Sequence, residues 1–91
     1  MSIDSISDIR KKFEAIDKEL LIILGKRQEL SKQIAILKKK NSITILQTNI
    51  WEHQFQKRLK ESEALNINAE FLKALFTIIH EESIRIQTEE L

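Results

Sequence analysis

The sequence of 91 residues has no cysteine, no proline and a single glycine. Without cysteine there is neither a disulfide framework nor a thiolate metal site. Sheet-rich folds depend on glycine and proline at their turns, so this scarcity points to an all-α fold. No apolar run approaches the ~18 residues of a membrane span. The opening Met1-Ser2-Ile3-Asp4 has neither a basic n-region nor an apolar h-region, so no signal peptide is read there. The expectation is a soluble, cytoplasmic protein with no membrane partner. Net charge is +1, with acidic and basic residues interspersed. That balance disfavours binding nucleic acid by bulk phosphate neutralisation and leaves open a local cationic pocket for a small anion.

What is present is helical periodicity. The chain reads as one domain, 1–91, with helices over about 5–40, 49–64 and 68–89. Ser5, with Asp8 three residues later, fits a capping-box start. Apolar residues then form two interleaved heptad series. One is Ile6, Phe13, Leu20, position 27 and Ile34; the other is Ile9, Ile16, Ile23, Leu30 and Leu37. In the second segment Trp51, Phe55 and Leu59 recur every four residues and define one face. Asn68 is an N-cap candidate for the third. That helix carries Leu72, Leu75, Phe76, Ile79 and Ile86 on one face.

Length adds a constraint. A helix over 5–40 would be about 54 Å long, whereas a compact chain of this size has a radius of gyration near ~12 Å. Two shorter helices cannot cover an apolar stripe that runs the whole first one. Left bare, the stripe would be an aggregation hazard. A second copy solves the problem, and the expected architecture is an intertwined homodimeric helical bundle.

Arg27 interrupts the first heptad series. A charge in an apolar seam is costly unless paired. It sets register, snorkels to water, or waits as a cation for an anion. Lys38 lies eleven residues later, nearly on the same helix face and about 16 Å further along. The two could bracket a small dianion, although a lysine cluster at a helix C-terminus is also an ordinary complement to the helix dipole. Arg10 lies about 25 Å before Arg27 along such a helix. A single small ligand reaches both only if Arg10 comes from a partner subunit; otherwise Arg10 is a surface arginine. Ser83 and Gln87, four apart on the third helix, are either solvent-facing filler or donors aimed into a pocket. His53 and His80 belong to no ligand-spaced cluster, there is no glycine-rich phosphate loop, and no nucleophile–base spacing stands out. No metal and no cofactor is expected. An enzyme built from these residues would work by charge placement and shape.

The segments IRKKFEAIDKELLIILGKRQELSKQIAILK (Ile9–Lys38) and FLKALFTIIHEESIRIQ (Phe71–Gln87) resemble the all-helical chorismate mutases. Arg10, Asp17, Arg27 and Lys38 match the spacing of that family's first helix, and Ser83 and Gln87 that of its last. The resemblance implies a dimer of three-helix chains with two sites, each rearranging chorismate to prephenate without nucleophile, metal or cofactor. The task there is to hold a flexible dicarboxylate in a reactive conformer and to stabilise charge growing on an ether oxygen. By the resemblance, Arg27 and the partner subunit's Arg10 bind substrate carboxylate. Lys38 and Gln87 donate to the ether oxygen, and Ser83 contacts the second carboxylate. Asp17 is structural or supports the groups that touch substrate.

The linker departs from the family pattern. Nine, twelve and thirteen residues after its lysine, the family has an acidic residue, an arginine and a glutamate. Here those positions are Gln47, Ile50 and Trp51. A one-residue insertion would instead give Thr48, Trp51 and Glu52. Related domains with Q-x-x-R-W match Gln47 and Trp51, with Ile50 in the arginine's place. Gln47 and Glu52 are therefore both substrate-binding candidates. An isochorismate-pyruvate lyase of the same fold, and a non-catalytic dimerisation or regulatory module, are the alternative functions.

Overall fold

A computed structural model describes residues 5–91 and contains three helices: α1 (Ile6–Lys40), α2 (Thr48–Ala64) and α3 (Ala69–Glu89). Among the described residues there is no strand, as expected for an all-α fold. No helix among them is long and apolar enough to cross a membrane. Contacts divide the chain into two units, Met1–Leu30 and Ser31–Leu91.

In the first unit, α1 starts with a reciprocal cap. The Asp8 backbone N–H donates to Ser5 Oγ at 3.1 Å, and the Ser5 N–H donates to Asp8 Oδ2 at 3.3 Å. Both donors would otherwise be orphaned in the first turn. Only Leu24 and Arg27 of this unit's described residues are partly sheltered. The heptad residues stand in the open: Phe13 and Ile16 are each 61% exposed, and Leu20 and Ile23 are more than half exposed.

In the second unit, α1 contributes Ser31, Ala35 and Lys38 as its buried residues. Continued backward by helical steps of four and three, this row runs through Arg27 and Leu24. It is a different row from either heptad series, whose members Ile34 and Leu37 remain exposed. The buried apolar residues are Ala35, Leu72 and Ile86. Around them stand the half-buried Trp51, Phe55 and Leu59 of α2 and Phe76 and Ile79 of α3. Trp51 stacks nearly parallel on His80, with ring centroids 3.9 Å apart, and meets Phe55 at 5.1 Å. The guanidinium of Arg58 lies 5.0 Å from the Phe76 ring centre, a cation–π contact.

With its one glycine at position 25, inside α1, the chain stops two helices without glycine. At the end of α1, Ile43 N–H donates to the Lys38 carbonyl at 2.7 Å and Ser42 N–H to that of Lys39 at 3.3 Å. At the end of α2, Ile67 N–H donates to Ser62 and Asn66 N–H to Glu63. Both are Schellman motifs, with Ser42 (φ 56°) and Asn66 (φ 57°) at the left-handed position. The α3 start is capped as expected, with Asn68 Oδ1 accepting from Phe71 N–H at 2.8 Å.

A left-handed conformation costs a serine about 1–2 kcal/mol, a cost glycine escapes. Ser42→Gly should therefore raise unfolding free energy by about 1 kcal/mol and the melting midpoint by about 4–8 °C. Urea and thermal denaturation measure it. An unchanged or lowered stability would mean that Ser42 does not hold this conformation in solution.

Candidate functional site

The second unit holds a chain of polar side chains running through its interior. Lys38 is only 8% exposed and Gln87 only 5%. Lys38 Nζ donates to Gln87 Oε1 at 2.9 Å and to the Ile45 carbonyl at 2.5 Å. Gln87 Nε2 donates to Ser83 Oγ at 3.0 Å, one turn back on α3. Ser83 Oγ meets Ser31 Oγ of α1 at 2.8 Å. Two helices and the crossing segment thus converge on one ammonium.

The local sequence explains why the groups meet. Lys38 sits in the last turn of α1, so the chain leaving that helix turns back over it and presents the carbonyl of Ile45. The Schellman turn at Ser42 sets that reversal. Ser83 and Gln87 are four apart, so the side chains stack on one face of α3 and bond each other. An ammonium has only donors, which fixes the carboxamide orientation: Oε1 faces Lys38 and Nε2 faces Ser83.

Burial pushes the Lys38 pKa below the ordinary lysine value, because removal from water penalises the charged form. Its carbonyl acceptors hold the ammonium without neutralising it. The result is a desolvated cation enclosed by neutral groups, an environment that favours an incoming anion.

The other candidate residues lie as follows. Gln47 is the half-buried N-cap residue of α2 and makes no side-chain cap bond. Glu52 is exposed in the first turns of α2 and lines a shallow depression with Asn49, Trp51, His53, Phe55 and Gln56. That depression shares no residue with the Lys38 chain. Ile50 stands about half exposed near the start of α2. Arg10 and Arg27 belong to the first unit; Arg10 is exposed and Arg27 is half sheltered. Lys39 donates to the Leu91 carbonyl at 3.2 Å from an exposed position. Among the described residues no group of three or more His, Asp or Glu gathers as a metal site.

Ser31 is the member of the chain that sequence reading passed over. A helical wheel drawn from Arg27 and Lys38 places it between them, four residues after one and seven before the other. Serine in a mid-helix position carries no signal by itself, and that row was hidden behind the stronger apolar heptads.

Lys38 titration predicts a pH dependence of stability. Its folded-state pKa lies below the unfolded value of 10.5. Below the folded pKa the ammonium is charged in both states, and the fold bears the desolvation cost. Between the two values the folded state sheds its proton while the unfolded chain keeps it, so stability rises with pH. Relative to Lys38→Met, which cannot titrate, the wild type should gain unfolding free energy as pH climbs toward 10.5. A gap between the two proteins that stays constant with pH would contradict the buried placement.

No curated protein and no solved structure matches the chain. One family does, described as chorismate mutase type II, and the match covers residues 9–88. That span reaches from the first turn of α1 past Lys38, Ser83 and Gln87 into the last turn of α3. The all-helical plan agrees with it, and the chain belongs to the chorismate mutase type II family, with the mutase activity that membership carries.

Proposed function

We propose that this protein rearranges chorismate to prephenate at a site built around Lys38 and Gln87, by positioning and charge. The observation that carries the assignment is the buried Lys38–Gln87 hydrogen bond between the ends of α1 and α3. A surface lysine cluster would have no reason to send one member inward against a carboxamide.

The rearrangement breaks one C–O bond and forms one C–C bond within the same molecule. No atom enters or leaves. As the C–O bond stretches, negative charge grows on the ether oxygen, and donors aimed there lower the barrier. Lys38 has three N–H groups, of which two are spent on Gln87 and Ile45. Gln87 Nε2 has two, of which one is spent on Ser83. The remaining N–H of each is the donor this reading assigns to the ether oxygen. Ser83 is assigned to one carboxylate and Arg27 to the other, where a planar guanidinium makes a bidentate contact. Gln47 and Glu52 are assigned to the rim formed by the start of α2. Together these groups hold the flexible dicarboxylate in its compact conformer.

The exposed heptad residues of α1 support the dimer in this reading. Phe13, Ile16, Leu20 and Leu30 are each more than half exposed, and a second copy is the partner whose matching stripe would cover them. The same pairing would bring Arg10 of the partner subunit to the site. The reading treats 1–91 as one mutase domain and places the protein in the cytoplasm. Ile50 stands where relatives carry a linker arginine, so the native site has one cation fewer and works below its potential.

The test is prephenate formation from chorismate by the purified protein. Wild type should turn over chorismate. Lys38→Ala and Gln87→Ala should each lose about 10²–10³ in kcat. Arg27→Ala should abolish activity, and Ile50→Arg should raise kcat/KM. A folded wild-type protein that leaves chorismate untouched would overturn the assignment.

A further inference from the structure

Three members of the buried polar chain have roles in the reading above, and the fourth, Ser31, has none. We propose that Ser31 is a positioning residue that aims the Ser83 hydroxyl at a substrate carboxylate. The inference rests on the mutase reading of the site and concerns how one of its donors is set.

Protons and lone pairs decide which hydroxyl donates. Gln87 Oε1 faces the Lys38 ammonium, so Nε2 faces Ser83 and donates to it. That bond occupies one of the two lone pairs of Ser83 Oγ and leaves its single proton to be placed. At 2.8 Å from Ser31 Oγ, either hydroxyl can donate to the other. A carboxylate only accepts, so a substrate held by Ser83 takes the Ser83 proton. The second Ser83 lone pair is then filled by the hydroxyl of Ser31. Without substrate, Ser83 donates to Ser31 instead. Binding reverses one O–H···O bond without moving a heavy atom, and the two hydroxyls stay bonded to each other in both states. In the bound direction, Ser83 accepts from two donors, which polarises its O–H and strengthens it as a donor.

Burial and partner choice distinguish Ser31 from an ordinary helix serine. It is 5% exposed and its bond crosses from α1 to α3. Ser62 is equally buried, but its hydroxyl donates to the Leu59 carbonyl of its own helix, the usual local arrangement.

Steady-state kinetics with chorismate on wild type, Ser31→Ala, Ser83→Ala and the double variant test the proposal. Ser31→Ala should raise KM about two- to tenfold, the worth of one hydrogen bond, with kcat within about twofold. In the Ser83→Ala background it should have no further effect, because the group it acts through is gone. A packing role would lower the active fraction, reducing kcat at constant KM, and its loss would multiply with that of Ser83→Ala. Either pattern overturns the proposal. Should Ser31→Ala fail to fold, Ser31→Cys keeps the volume with a weak donor and should raise KM in the same direction; an unchanged KM there also overturns it. An inactive wild type would bring down the mutase reading and this inference together. An active wild type with multiplicative losses would bring down this inference alone.

Discussion

An ammonium removed from water must be supplied with acceptors, and the second unit of this protein is arranged around that requirement. Lys38 reaches the interior because α1 ends at Lys40, two residues beyond it, and the chain folds back over it. The Schellman turn through Ser42 brings the Ile45 carbonyl to the ammonium, and α3 brings the oxygen of Gln87. From that point the orientation of the Gln87 carboxamide follows. Gln87 must present its oxygen inward, so its nitrogen faces Ser83, whose hydroxyl in turn meets that of Ser31. Unpaired, a buried lysine would cost several kcal/mol; surrounded by neutral acceptors, it stays a cation with capacity left for an anion. The desolvation that lowers its pKa is the same property that would draw an anion in the proposed mechanism.

The two faces of α1 divide the labour. The row containing Ser31, Ala35 and Lys38 is turned inward and carries the polar chain past a small apolar core. In the first unit the heptad residues Phe13, Ile16, Leu20 and Leu30 are each more than half exposed in a single chain. An apolar stripe of that length is stable in water only when covered. The proposed chemistry and the proposed association therefore use different residues of one helix. A site that also requires a cation from another copy would couple activity to assembly without any separate regulatory element.

Much of this was legible in the residues, for identifiable reasons. Helix boundaries were marked by local chemistry: Ser5 with Asp8, and Asn68 with the N–H of Phe71, are short-range bonds that a linear reading detects. The chorismate mutase assignment rested on widely spaced polar residues, and the family match over residues 9–88 bears it out. The pairing of Lys38 with Gln87 joins residues 49 apart, and spacing within either helix could not reveal it. Ser31 was missed because its row contains Ala35, too small to register against neighbouring leucines and isoleucines. The stop signals were obscure for another reason: Ser42 and Asn66 take left-handed conformations that sequence patterns assign first to glycine.

Complementation between two inactive proteins tests the account most directly. Arg10→Ala and Lys38→Ala are each expected to be dead when pure. Unfolded and refolded together in equal amounts, they should form mixed dimers in which one of two sites recovers both groups. Activity should return to about a quarter of wild type, as statistical assortment of a two-fold dimer requires. A mixture that stays as inactive as its components would contradict a site shared between subunits.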